Sequence, residues 1–343
     1  MNNWVNNTGS NEDIVLSSRI RLARNLKDIA FPHKLSKEDG KKVIDRLENV
    51  FVKYPIKGQN FKTYRLWELD SLESKVCIDR HLISNKLLIN NDKAAFILND
   101  DETISIMINE EDHLRVQCIT AGIQLDEAYN WATKIDDILE NQEEFAFNEK
   151  LGYLTACPTN IGTGLRASIM IHLPAVTMTN KINSVLNVIT QIGMTIRGLF
   201  GEGSKTVGNI YQISNQVTLG LNENEIITNL KGVVNKIISQ EKLERQRLIG
   251  NYKYELEDKI YRALGILKSA ILLGGIECLN LLSDVRLGIE MGLIEDVNKQ
   301  DINGLIVDVQ PAMIQKNYGG ELSDREISIK RAQLVREKLN FIQ

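Results

Sequence analysis

Residues Cys157 to Ser168 read C-P-T-N-I-G-T-G-L-R-A-S, which sets glycines, small hydroxyls, an amide and an arginine in one turn-rich loop. Glycine lets backbone N–H groups turn inward and approach a phosphate closely, and the Arg166 guanidinium keeps its charge near neutral pH. The loop therefore suits an anion, although glycines with one arginine also occur in ordinary strand connections. Arg19 and Arg21, in Ser17-Ser18-Arg19-Ile20-Arg21, are two residues apart and share one face of a strand, where like charges call for an anion between them. Arg115 follows an acidic run, and Arg197 opens a second glycine-rich stretch, Arg197-Gly198-Leu199-Phe200-Gly201-Glu202-Gly203-Ser204. Forks of N–H donors repeated in this way match the oxygens of a polyphosphate.

The acidic run is Asn109-Glu110-Glu111-Asp112-His113-Leu114-Arg115. Either it is a solvated loop, or something cationic sits against it. Strand-like patterns on both sides, and an arginine within four residues, favour the second reading. The motifs GxxxxGK[ST], DFG and HRD are absent, which speaks against a P-loop or protein-kinase fold.

The elements that must carry these residues follow from periodicity. Ile104, Ile106 and Ile108 alternate with polar or flexible neighbours, as do Leu114, Val116 and Cys118, and Ile169, Ile171 and Leu173; period two predicts strands. Asp100-Asp101 reads as a hairpin turn, so the sheet is expected to be antiparallel. Helices are expected over 127–140 and 179–194, packed on that sheet. Beyond about residue 240 helix formers dominate, and Leu256, Ile260, Ala263, Leu267 and Ile271 line one face of a long helix that Gly274-Gly275 is expected to end. The fold class is thus α+β: an antiparallel sheet flanked by helices over 1–240, then an all-α C-terminal domain over 241–343.

A chain of 343 residues, with 43% hydrophobic and 25% charged residues, is that of a two-domain globular protein. Its net charge of −4 argues against nucleic acid as the main partner. The longest apolar stretch, 263–282, contains Lys268 and Glu277 and reads as a buried helical region, not a membrane span. Cys77, Cys118, Cys157 and Cys278 are scattered without a CxxC pair, which indicates reduced thiols in the cytoplasm and no zinc site. The dispersed His33, His81, His113 and His172 equally disfavour a metal held by protein side chains.

Four motifs in order, S-S-R-x-R, N-E-E-D-H, C-P-T-N-x-G-T-G-L-R and R-G-x-x-G-E, resemble those of the ATP:guanidino phosphotransferases over residues 10 to 240. The creatine and arginine kinases of that family carry a small helical domain ahead of the first motif, whereas sixteen residues precede Ser17 here. The helical part instead follows the catalytic one, as in the bacterial protein-arginine kinases of Gram-positive stress responses. The resemblance implies ATP with Mg²⁺ held mostly by nucleotide and water. It implies that Glu111 is the base and guanidinium anchor, that Glu202 is the second carboxylate, and that Glu110 and Asp112 orient the loop or water around Mg²⁺.

By the same resemblance, phosphate binding falls to Ser17, Ser18, Arg19, Ile20, Arg21, Arg115, Arg166, Arg197, Gly198, Leu199, Phe200 and Gly201. His81 resembles a nucleotide-contacting histidine, Ala167-Ser168-Ile169-Met170 lines the adenosine-phosphate side, and Cys157 adjoins the guanidine as a tuning thiol. An Arg-Asp pair that serves phosphoarginine sensing in the family is replaced here by Ile327 and Ser328. Implied partners are protein substrates with exposed arginines, a heat-shock repressor, a zinc-binding activator protein and a Clp protease, with no membrane. A homodimer through the helical part is compatible with the pattern. Two other functions stay open: a kinase for free arginine or another small guanidine, and an inactive regulatory adaptor.

Overall fold

The computed structural model describes Val5, residues 8–198 and residues 206–339. Strand β1 (Val15–Arg24) is followed by α1 (Lys37–Lys53), β2 (Phe61–Arg65), α2 (Ser71–Asp79), β3 (Ala95–Asn99), β4 (Ile104–Ile108), β5 (Leu114–Ala121) and α3 (Leu125–Glu140). A small hairpin, β6 (Phe147–Asn148) and β7 (Gly152–Tyr153), precedes β8 (Leu165–His172), α4 (Pro174–Met178), α5 (Ile182–Gln191), β9 (Met194–Gly198) and β10 (Ile210–Asn215). Six helices follow: α6 (Glu223–Asn251), α7 (Lys253–Ser269), α8 (Gly275–Glu290), α9 (Lys299–Asp308), α10 (Pro311–Tyr318) and α11 (Asp324–Lys338). One sheet has the strand order β2-β3-β4-β5-β1-β8-β10-β9.

The chain divides into two compact units, one comprising 1–10, 17–169 and 214–231, the other 11–16, 170–213 and 232–343. The boundary expected at residue 240 therefore falls inside the uninterrupted helix α6.

In the first unit, register decides which side chains share a face. Arg21 is opposite Gln117, Ala23 opposite Arg115, and Arg115 opposite Met107; directly paired residues point the same way. Arg19, Arg21, Arg115 and Gln117 thus stand on one face, together with Met107 and Phe96. At the Phe96 end that face is apolar, buried with Leu66, Leu82, Leu87 and Leu98. The opposite face carries Ile20, Leu22, Val116 and Ile106, all buried. Helix α3 packs against β5 and buries Leu125, Ala128, Ala132, Ile135 and Leu139. Helix α1 buries Val43, Ile44, Leu47 and Val50, and its first turn is capped by the Ser36 hydroxyl, which accepts from Asp39 N at 3.1 Å.

The second unit is built around Leu256, Ile260, Leu267, Leu282, Val285, Leu305, Ile314 and Val335. Helix α7 ends at Ser269 with Ala270 as its cap, and Gly274 caps the start of α8, so the glycine pair opens a helix instead of closing one. Ile271 lies in the connection, exposed like Leu272 and Ile276. The apolar stretch 263–282 is accordingly buried only in part: the pattern joins two helix faces through an exposed turn. Helix α11 begins with the capping box that Ser323 and Glu326 spell, Ser323 N donating to Glu326 Oε2 at 2.8 Å.

Candidate active site

The acidic turn between β4 and β5 is set by Asn109, whose φ of 60° lies in the left-handed region that asparagine tolerates. Its side-chain amide donates to Gly40 O at 2.9 Å and to Lys93 O at 2.7 Å. That approach requires a glycine in α1, because a Cβ on Gly40 would stand 2.7 Å from Lys93 Cβ. Turn, helix and the β3 entry are thereby locked together.

The three acids have different fates. Glu110 is buried, and Arg115 Nη1 donates to both its oxygens, at 2.6 and 2.5 Å, while Ser84 Oγ donates to Oε1. Burial alone would raise its pKa, but the Arg115 charge and hydrogen bonds outweigh burial and hold it below the ordinary carboxylate value. Asp112 is also buried; its Oδ1 accepts from Asn25 Nδ2 and Ala156 N, each at 2.6 Å. Here burial prevails and pushes the carboxyl up. Glu110 and Asp112 thus hold the turn from within. Glu111 points outward, a third exposed, and its Oε1 meets Lys86 Nζ at 2.6 Å.

His113 completes the frame. Its Nδ1 accepts from Leu26 N at 3.1 Å and its Nε2 lies 3.0 Å from Ala30 O, which together require a neutral ring protonated on Nε2. Burial pushes this imidazole down to about 4. Asn25 serves both neighbours, donating to Asp112 and accepting from His113 N at 2.9 Å.

Four guanidinium groups face one another on the sheet: Arg19, Arg21, Arg115 and Arg166. Arg19 Nε reaches Ser168 Oγ at 3.4 Å, and Arg166 Nη2 reaches Ser214 Oγ at 3.1 Å. Burial, then the charges of Arg115 and Arg166, push Arg19 down to about 9; burial and the other three guanidinium groups push Arg21 down as well. Both side chains remain partly exposed, so solvent relieves some of this repulsion. Arg115 goes the other way, since Glu110 outweighs its burial. The Nε of Arg21 is buried with no hydrogen-bond partner among the described residues. Arg115 is matched by the Glu110 carboxylate, and a cluster of four guanidinium groups has the donor geometry that suits a polyphosphate.

His81 adjoins Arg19 with φ of 59°, its backbone held by Gln117 Nε2, which donates to His81 O at 2.9 Å. Burial and the Arg19 charge push its ring down to about 4, so the imidazole is uncharged near neutral pH.

The glycine loop departs from expectation. Its N–H groups are engaged within the fold: Gly162 N with Tyr153 O, Thr163 N with Thr218 O, Leu165 N with Thr163 Oγ1 and Ala167 N with Asn215 Oδ1. Gly164, at φ 63°, brings the loop so close to β1 that a Cβ would stand 2.6 Å from Ala23 O. The loop ties β8 to β1 and thereby aims Arg166; the amides named are not a phosphate nest. Arg24, which the sequence did not single out, fastens the same junction, donating to Thr163 O at 2.9 Å and to Asp136 Oδ2 at 2.6 Å.

Other expected residues are distributed by strand alternation. Ser17 is on the arginine face, whereas Ser18 and Ile20 point to the opposite one, where Ser18 Oγ donates to Gly122 O and accepts from Gln124 N. Ala167 and Ile169 are buried in the sheet, and Met170 belongs to the core of the second unit. Cys157 is half-buried, its Sγ 3.1 Å from Thr159 Oγ1. Arg197 and Gly198 close β9; Leu199, Phe200, Gly201 and Glu202 lie outside the described residues. Ile327 is buried in the helical core, and Ser328 accepts Leu273 N through its backbone oxygen at 3.1 Å. Sequence reasoning missed Asn25, Ser84, Lys86, Asn90 and Gln117, polar residues with no local pattern to mark them.

Among the described residues no three carboxylate, imidazole or thiol groups converge as a metal cage, and no helix is long and apolar enough to cross a membrane.

Comparison with known proteins accords with this geometry. The profile of the ATP:guanido phosphotransferase C-terminal catalytic domain matches residues 42–244, and that of the protein-arginine kinase McsB C-terminal domain matches residues 253–343. The chain is 60% identical over 340 residues to a protein-arginine kinase of Clostridium kluyveri, covering 99% of each chain. It is 45% identical over 339 residues to that of Geobacillus stearothermophilus, covering 98% of this chain and 93% of the relative. Among solved structures it is similar to a lombricine kinase, with 27% identity, a TM-score of 0.59 and coverage of 68% of this chain and 67% of that one. A duplicated taurocyamine kinase from Schistosoma mansoni aligns with 25% identity and a TM-score of 0.61 over 69% of this chain and 34% of that one. An arginine row beside an acidic turn, two matching domain profiles and full-length relatives place one conclusion beyond the fold: the chain belongs to the protein-arginine kinase branch of the ATP:guanido phosphotransferase family.

Proposed function

We propose that this protein transfers the γ-phosphoryl group of ATP to the guanidinium of arginine side chains in proteins. The observation that carries the reading is the row Arg19, Arg21, Arg115 and Arg166 beside an acidic turn whose one outward carboxylate is Glu111. The row neutralises the triphosphate and the charge that spreads over the equatorial oxygens during transfer. A guanidinium, with its pKa above about 12, is no nucleophile until a proton leaves. Glu111 orients the guanidinium in line and accepts that proton. Glu110 keeps Arg115 aimed at the phosphates, and Asp112 holds the turn against the segment leading to Cys157, which borders the acceptor. Glu202 supplies a second carboxylate. Magnesium, brought in on the nucleotide, would offset charge on the transferring group.

The reading extends to a cytoplasmic role in stress response and protein quality control, with a heat-shock repressor among the substrates and a zinc-binding activator and a Clp protease as partners. Homodimerisation through the C-terminal helices belongs to the same reading. The support for these is family membership.

The test is incubation with magnesium ATP and either an unfolded arginine-containing protein, such as reduced and carboxymethylated lysozyme, or free arginine. Acid-labile phosphoarginine on the protein, detected by mass spectrometry, is the expected product. Glu111→Ala is expected to abolish transfer while nucleotide still binds. Transfer to free arginine alone, or near-normal turnover of that variant, would overturn the proposal; a protein inert with both acceptors would favour the adaptor function.

A further inference from the structure

We propose that Lys86 is an internal competitor of the acceptor: its ammonium occupies the Glu111 carboxylate that the incoming guanidinium must engage, and so sets which acceptors bind and how tightly. The inference rests on the reading of Glu111 as the guanidinium anchor.

Of the three acids in the turn, Glu110 and Asp112 are buried and spoken for by Arg115, Ser84, Asn25 and Ala156. Glu111 alone of the three is open to an outside partner, and Lys86 Nζ already sits 2.6 Å from it. This contact differs from a casual surface pair, because the segment bearing Lys86 is fastened to the same turn on either side. Lys86 lies in the 3-10 helix Asn85–Asn90. Just before it, Ser84 bonds Glu110; at its far end, Asn90 Nδ2 donates to Asn109 O at 3.0 Å and to Glu110 O at 2.9 Å. Leu87, fully buried, anchors the helix from below. The backbone holds Lys86 in reach of Glu111, while the side chain, 51% exposed, is free to swing into water.

The chemistry of the exchange gives selectivity. A lysine ammonium is a compact charge that meets one carboxylate oxygen, whereas a guanidinium is a planar fork that can take both. An arginine acceptor gains a bond geometry that Lys86 does not supply. A substrate lysine would only replace one ammonium by another, so the arrangement discriminates between the two basic side chains before any chemistry begins.

Steady-state kinetics with the unfolded lysozyme acceptor test this. Lys86→Ala is expected to lower KM for the acceptor about two- to fivefold, the range of an exposed ion pair, with kcat and KM for ATP little changed. Lys86→Arg, which restores a cation at this place, is expected to bring the acceptor KM back to the wild-type value or above. n-Butylammonium, added as a soluble stand-in, is expected to inhibit Lys86→Ala competitively with the acceptor and more strongly than it inhibits the wild type. Lys42→Ala, which breaks an exposed pair with Asp39 on α1, serves as the control with no change. An acceptor KM that stays constant or rises in Lys86→Ala, or a loss of kcat, would overturn the inference. If Glu111→Ala is inactive and Lys86→Ala shows no fall in KM, only the competitor role fails; if Glu111→Ala is active, the reading beneath it fails too.

Discussion

Arginines cluster in both units of this molecule, fully buried in one and half-buried in the row on the sheet, and their surroundings differ. Arg286 in α8, 1% exposed, has its donors filled: Nη2 to Glu12 O at 2.6 Å, Nη1 to Asp13 O at 3.1 Å and to His172 Nδ1 at 2.9 Å, and Nε to Asn303 Oδ1 at 3.0 Å. Arg331 in α11 donates to Val309 O and Leu273 O. These side chains tie chain segments together as cross-links would. In the row on the sheet, by contrast, guanidinium groups face guanidinium groups, and the buried Nε of Arg21 has no acceptor among the described residues. One set is satisfied by acceptors of its own fold; the other gathers like charges, which the proposed nucleotide would offset.

The contrast is broken or sharpened most directly by deleting one member of each set. Arg21→Ala is expected to reduce phosphoryl transfer by about 10²–10³-fold, the usual effect of removing one group that stabilises transition-state charge. Its melting temperature should hold or rise, since a repelling charge has gone. Arg286→Ala is expected to do the reverse in kind. It leaves His172 Nδ1, Asn303 and two backbone oxygens without their donor, and should cost about 3 kcal/mol of stability, read as a fall in the denaturant midpoint. If Arg21→Ala were the destabilised variant and Arg286→Ala the stable one, the distinction drawn here would be wrong.

Acid is expected to strike both units alike, because each buries a neutral imidazole that accepts a hydrogen bond at Nδ1. Burial pushes His113 down to about 4; burial, then Arg286 and Arg245, push His172 well below the ordinary value. The unfolded chain binds these protons at about 6.5 and the folded chain refuses them, so stability is full above that pH and falls as acid is added. For His113 the loss is complete near pH 4 and amounts to about 3 kcal/mol, at 1.36 kcal/mol per unit. Urea unfolding at pH 7, 6 and 5 checks this; a flat profile over that interval would contradict the neutral-ring assignment.

How much of this was legible in the sequence depended on whether the signal was local. The two-residue spacing of Arg19 and Arg21 and the alternation of Leu114, Val116 and Cys118 around Arg115 mark strand positions, and the acidic run with its flanking strands announces a turn with a cationic partner. These residues carry a local mark: Arg19 stands two from Arg21, and Glu110 five from the Arg115 that holds it. Asn25, Ser84 and Asn90 act across 19 to 88 residues of chain, and an isolated amide or hydroxyl carries no mark of such a partner. The glycine loop misled in a different way. Glycine lets backbone approach a phosphate closely, and at Gly164 the same freedom admits the neighbouring strand instead. Likewise Arg24, Arg286 and Arg331 look no different in sequence from the arginines of the row, since what separates them is which acceptors the fold brings near.

The smallest expected effect tests how the acidic turn differs from both arginine sets, since there an uncharged amide does the holding. Asn25 donates to Asp112 Oδ1 at 2.6 Å and to Leu154 O at 3.0 Å and accepts from His113 N. Asn25→Ala should cost about 1–2 kcal/mol of stability, as expected for unpaired buried groups. Its more specific signature is in the pH dependence of transfer. Asp112 is already pushed up by burial, and the Asn25 hydrogen bond opposes that shift by favouring the charged form. Without the amide the carboxyl should titrate at still higher pH, and the acid limb of the pH–rate profile should move upward while the rate on the plateau changes little. An acid limb that stays in place would mean that Asp112 is held by the Ala156 amide alone and that Asn25 serves only His113.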